Sequence, residues 1–209
     1  MTSTNSHLQQ ALQLLIRKYI KMHQDTHGHL PTVISDDDWL SPCEAGNSTQ
    51  GLSYWQPVLT SDLVQASDLE NTDISVSAEI LNFANIESAL GLTLHQDIKA
   101  YFTYVFSAEL EAECDEGALS LLFAWNGEDF QRLQENLIGH ILMKQRLKQP
   151  LTLFFAVTDE EDMIISLDNT TGEIWVEQVG CKPHKKLSHS LTEFINGLTP
   201  LVKKKVDNA

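Results

Sequence analysis

The sequence predicts an α+β fold, a single domain over 1–209 in which a largely antiparallel sheet packs against helices. Three observations carry that prediction. From Trp125 to Gly180 one helical face is followed by three short apolar or alternating runs, separated by the polar turns TDEED and DNTTG. Near residue 108 the hydrophobic period changes from helical to alternating. A chain of 209 residues of ordinary globular composition is long enough for one core and does not require two.

Taken in order, the chain opens with a helix over 6–24. Ser6 and Gln9 match a capping box, and Leu8, Ala11, Leu12, Leu15, Ile16, Tyr19 and Ile20 form a wide apolar stripe. Arg17, Lys18 and Lys21 would also suit a membrane-surface helix, but the stripe is read as core-facing. Residues 25–60 read as loop with short extended pieces, including LSYWQPVL with a strand ending near Pro57. Residues 60–84 are ambiguous, and Ile86–Leu90 is a short helix. Over 97–107 Ile98, Tyr101, Phe102, Val105 and Phe106 fall together only on a helix. The hairpin near 108–125 follows, turning at Asp115–Gly117. A helix over 127–149 places Phe130, Leu133, Leu137, Ile138, Ile141 and Leu142 on one face, with Glu128 and Asp129 at its start, Lys144, Arg146 and Lys148 toward its end, and Pro150 as its stop. The meander 151–180 comes next, then a helix over 190–199 opened by the capping box Ser190–Glu193, and a frayed basic tail at 201–209.

Charge is the outlier. Lys and Arg number 14 against 29 Asp and Glu, a net charge of −15. Residues 22–131 hold a single base, Lys99, against nineteen acids. Such a field repels nucleic acid and bare anionic lipid and attracts basic partners. The strongest local feature is Glu109, Glu111 and Glu113, which share one strand face at about 6.5–7 Å intervals while Leu110, Ala112 and Cys114 face the core. It has two readings, the wet face of an antiparallel sheet or a docking ridge for a cationic partner.

Cys43, Cys114 and Cys181 form no CxxC pair, which predicts a reducing compartment without a disulfide framework or thiolate zinc site. His23, His27 and His29 are close in sequence, but no fourth ligand is implied, and Asp36–Asp38 lacks calcium-loop spacing, so no metal or other cofactor is expected. There is no signal peptide pattern and no apolar run near the roughly 20 residues that span a bilayer. GxSxG, P-loop, GxGxxG and HExxH are all missing, and Glu135 and His140, five apart, diverge on their helix with no nucleophile at hand.

One resemblance adds to these readings. QENLIGHILMKQRLK, followed by QPLTLFFA, resembles the Syd family, soluble bacterial proteins that partner the translocon channel subunit SecY. The similarity runs upstream through WNGEDFQRLQ, YWQP (54–57) and SPC (41–43), and downstream through the acidic turn and the last helix. IESALGLTLHQDIKAYF (86–102) is similar to the helix signature of a wider superfamily that includes a yeast cell-wall regulator and many toxin-immunity proteins. The resemblance implies a non-enzymatic protein, cytoplasmic and loosely held at the cytoplasmic side of the inner membrane. Its partner would be the cytoplasmic loops of SecY, its membrane contact indirect, and its role regulation or quality control of the translocase. Cytoplasmic loops of inner-membrane proteins carry excess Lys and Arg, which suits an acidic groove. The expected partner-binding residues are Glu109, Glu111, Glu113, Asp115 and Glu116, with Asp36, Asp37 and Asp38 or Asp159, Glu160, Glu161 and Asp162 as rims. Trp55 and Trp125 are candidate anchors, although core packing is the commoner fate of each. The alternatives are an immunity-type protein neutralising a basic toxin, and a hydrolytic enzyme. The sequence is silent on oligomeric state.

Overall fold

A computed structural model describes residues 2–48, 51–67 and 81–203. Its centre is α5 (Gly127–Arg146) lying on a seven-stranded sheet. The sheet runs β11 (Lys185–Ser188), β10 (Ile174–Gln178), β9 (Met163–Asp168), β8 (Thr152–Thr158), β7 (Gly117–Leu121), β6 (Leu110–Cys114) and β12 (Thr199–Pro200), with every pair antiparallel. The expected hairpin and meander are its central five strands. A second sheet has the order β1 (Thr32–Ile34), β3 (Leu52–Trp55), β2 (Glu44–Asn47), and β4 (Val58–Leu59) pairs with β5 (Val105–Phe106).

The register assigns each sheet face. Glu111, Ser120, Val157, Ile164 and Glu177 stand opposite one another across β6 to β10 and so share a face. On the other face Leu153, Leu167 and Ile174 line up. There Phe155 meets Tyr101 of α4 (Gln96–Tyr104) at 5.5 Å and Phe194 of α6 (Leu191–Gly197) at 5.8 Å between ring centroids. Two short helices, α2 (Thr60–Ser67) and α3 (Ala84–Leu90), precede α4. α1 (Thr2–His27) packs on α4 and α6, with Leu8, Leu12, Leu15 and Tyr19 buried. Its core-facing stripe is the one the sequence predicts, but the helix starts at Thr2, so Ser6 lies a turn inside it and is not its cap. Lys185 of β11 pairs with Glu116 in the β6–β7 turn, so the sheet curls until its hairpin tip meets the far edge strand.

Several boundaries differ from the expectation for physical reasons. The helix expected over 97–107 ends at Tyr104, because Val105 and Phe106 turn extended to pair with Leu59 and Val58. α5 stops at Arg146 rather than 149, because Lys148 takes a φ of 53° and Gln149 donates its N–H to the Lys144 carbonyl at 3.0 Å. The helix expected over 190–199 spans Leu191–Gly197, and its cap is the expected one, with Ser190 Oγ accepting from the Glu193 N–H at 3.2 Å. Of the tail at 201–209, only 201–203 fall among the described residues.

The buried face of α5 is the expected one in most of its residues, with Phe130, Leu137 and Ile141 buried and Leu133 and Ile138 packed against the core, but it departs from the apolar pattern at two positions. Leu142 is 48% exposed, whereas Lys144, placed by sequence with the dipole-matched bases, is fully buried. Lys144 Nζ donates to Glu177 Oε2 and to the Cys181 carbonyl, both at 2.8 Å. Thr152 Oγ1 donates to Glu177 Oε1 at 2.8 Å, and His140 Nε2 lies 3.5 Å from that oxygen. Both partners of the ion pair are fully buried, and each Glu177 carboxylate oxygen accepts a hydrogen bond. Burial holds the His140 imidazole below its ordinary pKa, only partly opposed by the Glu177 carboxylate. His23 is shifted the same way, again first by burial. A folded-state pKa below the unfolded one means that the unfolded chain takes up a proton the native state refuses. Stability is therefore full above roughly pH 6.5–7 and falls as pH drops through the unfolded value. The urea midpoint should fall between about pH 7 and 5.5 and fall less in His140→Gln, and equal slopes in the two proteins would discount His140.

Candidate functional site

Residues drawn from 33–44, 107–109 and 123–129, far apart in sequence, enclose one recess of about 300 Å³. It forms because the loop after β1 is strapped to the turn that opens α5. Ser41 Oγ donates to the Trp125 carbonyl, Asn126 Nδ2 to the Leu40 carbonyl at 2.8 Å, and Trp125 Nε1 to the Trp39 carbonyl at 3.3 Å. Asn126 Oδ1 in turn accepts from the Asp129 N–H, while Asp129 Oδ2 accepts from the Trp125 N–H, each at 2.8 Å. Buried Trp55 packs edge-on against Trp125, with centroids 6.2 Å apart. Of the two expected anchors, Trp55 is therefore core and Trp125 is wall.

The recess is lined by four carboxylates, Asp36, Glu44, Glu109 and Asp129, with Trp39, Trp125 and Phe123 between them, and no Lys or Arg among its lining residues. Ile34, 82% exposed, is itself among the lining residues, and Leu40, 65% exposed, follows Trp39 in the chain. Arg132 stacks on Trp39 at 4.0 Å from the ring centroid. Partial burial first, and then the Glu111 and Asp129 carboxylates, push Glu109 above the usual carboxylate range. An incoming ammonium or guanidinium would relieve that repulsion.

The predicted acidic set divides between two places. Along β6 the alternation is present, with Leu110 and Ala112 buried while Glu111 and Glu113 face outward. Among the described residues no ion pair involves Glu109, Glu111 or Glu113, and Glu111 accepts a neutral hydrogen bond from Ser120 Oγ at 2.6 Å. Glu109 and Asp36 line the recess. Asp37 and Asp38 are exposed beside it, where the Asp38 N–H donates to Asp36 Oδ1 at 3.0 Å. At the other end of the hairpin, roughly 20 Å away, Glu116, Asp159 and Glu160 surround a separate recess of about 180 Å³, and Asp115 lines a neighbouring one. Glu116 is neutralised there by Lys185. Glu161 and Asp162 complete the exposed β8–β9 turn.

Sequence reasoning missed Trp39, Glu44 and Asp129. Asp129 carried a signal, since an acid three residues after an Asn marks a helix start, but Glu44 is brought in only by the pairing of β2 with β3. His23, His27 and His29 do cluster, with ring centroids 4.5–6.0 Å apart. Each ring has a nitrogen against a backbone carbonyl, those of His29, Lys203 and Leu30 respectively. No group of three or more His, Cys, Asp or Glu side chains among the described residues has the geometry to hold a metal ion.

The segments SPC, YWQP and WNGEDF, scattered in sequence, thus meet in one strapped corner. A family model described as "Syd protein (SUKH-2)" matches residues 9–83 and 73–200. Protein Syd of Colwellia psychrerythraea is 58% identical over 199 residues, covering 95% of this chain and 96% of that protein. The chain belongs to the Syd family. Protein Syd of Alteromonas mediterranea is 46% identical over 167 residues, 79% of this chain and 83% of its own. Protein Syd of Pseudoalteromonas atlantica is 40% identical over 177 residues, with 83% and 86% covered. The strapped corner and its acid-lined recess are thus features of a Syd family member. Among the described residues no helix is long and apolar enough to cross a membrane.

Proposed function

We propose that this Syd family protein is a non-catalytic binding module that takes a basic cytoplasmic loop of SecY into the recess between Trp39, Glu109 and Trp125. The observation that supports the reading best is the pairing of four carboxylates with aromatic walls and no lining cation. A Lys- or Arg-bearing segment fits such a site twice, its charges against the acids and its methylene stems or apolar neighbours against the indoles. Ile34 and Leu40 extend the apolar area at the edge. Charge complementarity of this kind speeds encounter and sets register more than it adds affinity. A protein held this way is associated with the cytoplasmic side of the inner membrane through its partner. It would engage exposed loops when SecY is free or badly assembled, and so regulate or police the translocase.

The test is retention of the full chain on vesicles containing SecY, across a salt series. Retention that weakens steeply with salt is expected, because screening over about 8–10 Å acts directly on these contacts. Loss of retention on SecY together with capture of a nuclease toxin would instead favour the immunity reading, in which the same acids plug a basic active site. Salt-independent retention on SecY would move the contact away from the recess.

A further inference from the structure

The bases this acidic chain does possess are concentrated where the recess is not. On α1, Leu14, Lys18, Lys21, Met22 and Asp25 recur at helical spacing along one stripe, with Arg17 beside it. This face is distinct from the buried one formed by Leu8, Leu12, Leu15 and Tyr19. Leu14 is 51% exposed and Met22 37%. Lys18, Lys21 and Met22 wall an open groove of about 400 Å³, closed on its other side by Leu198, Thr199 and Pro200. At the end of the same helix, His27 Nε2 meets the Lys203 carbonyl at 3.1 Å, which holds the start of the C-terminal lysine run there. Lys21 pairs with Asp25 at 2.8 Å, and among the described residues Arg17, Lys18 and Lys203 make no ion pair.

We infer that this face of α1, with its groove, rests directly on an anionic bilayer. Lys18, Lys21 and Arg17 meet headgroup phosphates, while Leu14 and Met22 enter the boundary between headgroups and acyl chains. Interleaved bases and exposed apolar side chains on one helix stripe are the chemistry of a lipid surface, whereas a free phosphate would leave Leu14 and Met22 without a role. The net charge of −15 does not forbid the contact. Screening over about 8 Å at physiological ionic strength lets the local patch act largely on its own. The placement also orients the molecule. Thr199, at the groove, pairs with Glu113 of β6, so the acidic ridge begins one strand beyond the lipid-facing side. The contact adds to the SecY reading without depending on it.

The experiment is flotation of the full chain with vesicles that contain no SecY, so that this proposal and the SecY reading fail separately. Vesicles of phosphatidylcholine with about a third phosphatidylglycerol should retain the protein several-fold better than phosphatidylcholine alone at physiological salt. Lys18→Glu/Lys21→Glu should lower that retention roughly tenfold. Leu14→Ser/Met22→Ser should lower it without abolishing the salt dependence that remains. All four side chains are exposed, so circular dichroism should report an unchanged fold. Equal retention on the two vesicle types, retention on neither, an unaffected charge-reversal variant, or complete displacement by a small excess of homopolymeric RNA would each overturn the inference.

Discussion

Lys144→Met is expected to destabilise the fold by about 3–5 kcal/mol, measured by urea unfolding near neutral pH. The substitution keeps the length of the side chain and removes only its charge and donors. It strands the Glu177 carboxylate at zero exposure, with Thr152 Oγ1 as its nearest donor. A buried charge without its partner loses hydration and gains nothing in return. The double substitution Lys144→Met/Glu177→Leu should recover most of the loss, because a buried pair replaced by apolar side chains of similar volume is often neutral or better. The ion pair therefore carries little net stability, while breaking it on one side is severe. A single variant within about 1 kcal/mol of wild type would show that water reaches Glu177 in solution.

Asp36→Lys/Glu109→Lys should weaken binding to SecY-containing vesicles about a hundredfold and flatten its salt dependence, with little effect on folding. Asp36 is exposed, and neither side chain caps a helix or pairs with a cation. Glu44 and Asp129 are poorer choices, since Glu44 Oε1 accepts from the Ser41 N–H and Asp129 Oδ2 from the Trp125 N–H, bonds that hold the strapped loop. Asp159→Lys/Glu160→Lys, at the other end of the hairpin, serves as the matched control with the same change in net charge. Equal losses in the two doubles would mean that binding follows total charge rather than the recess. A loss confined to Asp159→Lys/Glu160→Lys would move the docking site to the β8–β9 turn.

Much of the architecture was legible because its elements repeat at their own period. The stripe Leu8, Leu12, Leu15 and Tyr19, the switch at Glu109 from helical to alternating spacing, and the DNTTG turn are each visible within a few residues. The short strands were not. β12 is two residues long and contains a proline, and β11 opens with two lysines. Neither has a pattern of its own, and each is a strand only because an edge was there to pair with. Lys144 escaped for a related reason. Its side chain belongs to the buried stripe by position but not by chemistry, so a hydrophobic pattern selects Leu142 instead.

The candidate site shows the same division. Glu109, Glu111 and Glu113 could be placed on one outward face from sequence, because alternation in a strand is a local property of the backbone. Their separation from Asp115, Glu116 and the 159–162 turn could not, because it depends on how the sheet curls and on Lys185 arriving at Glu116 from 69 residues away. What the amino-acid order determined by itself is the set of elements, the excess of acid between residues 22 and 131, and the gathering of bases at α1, α5 and the tail. Only the tertiary structure decided that Asp36, Glu44, Glu109 and Asp129 share a recess and that Lys144 is spent inside on Glu177. Periodicity is encoded over a single turn or pleat, whereas proximity between distant segments is set by whichever faces must be buried together.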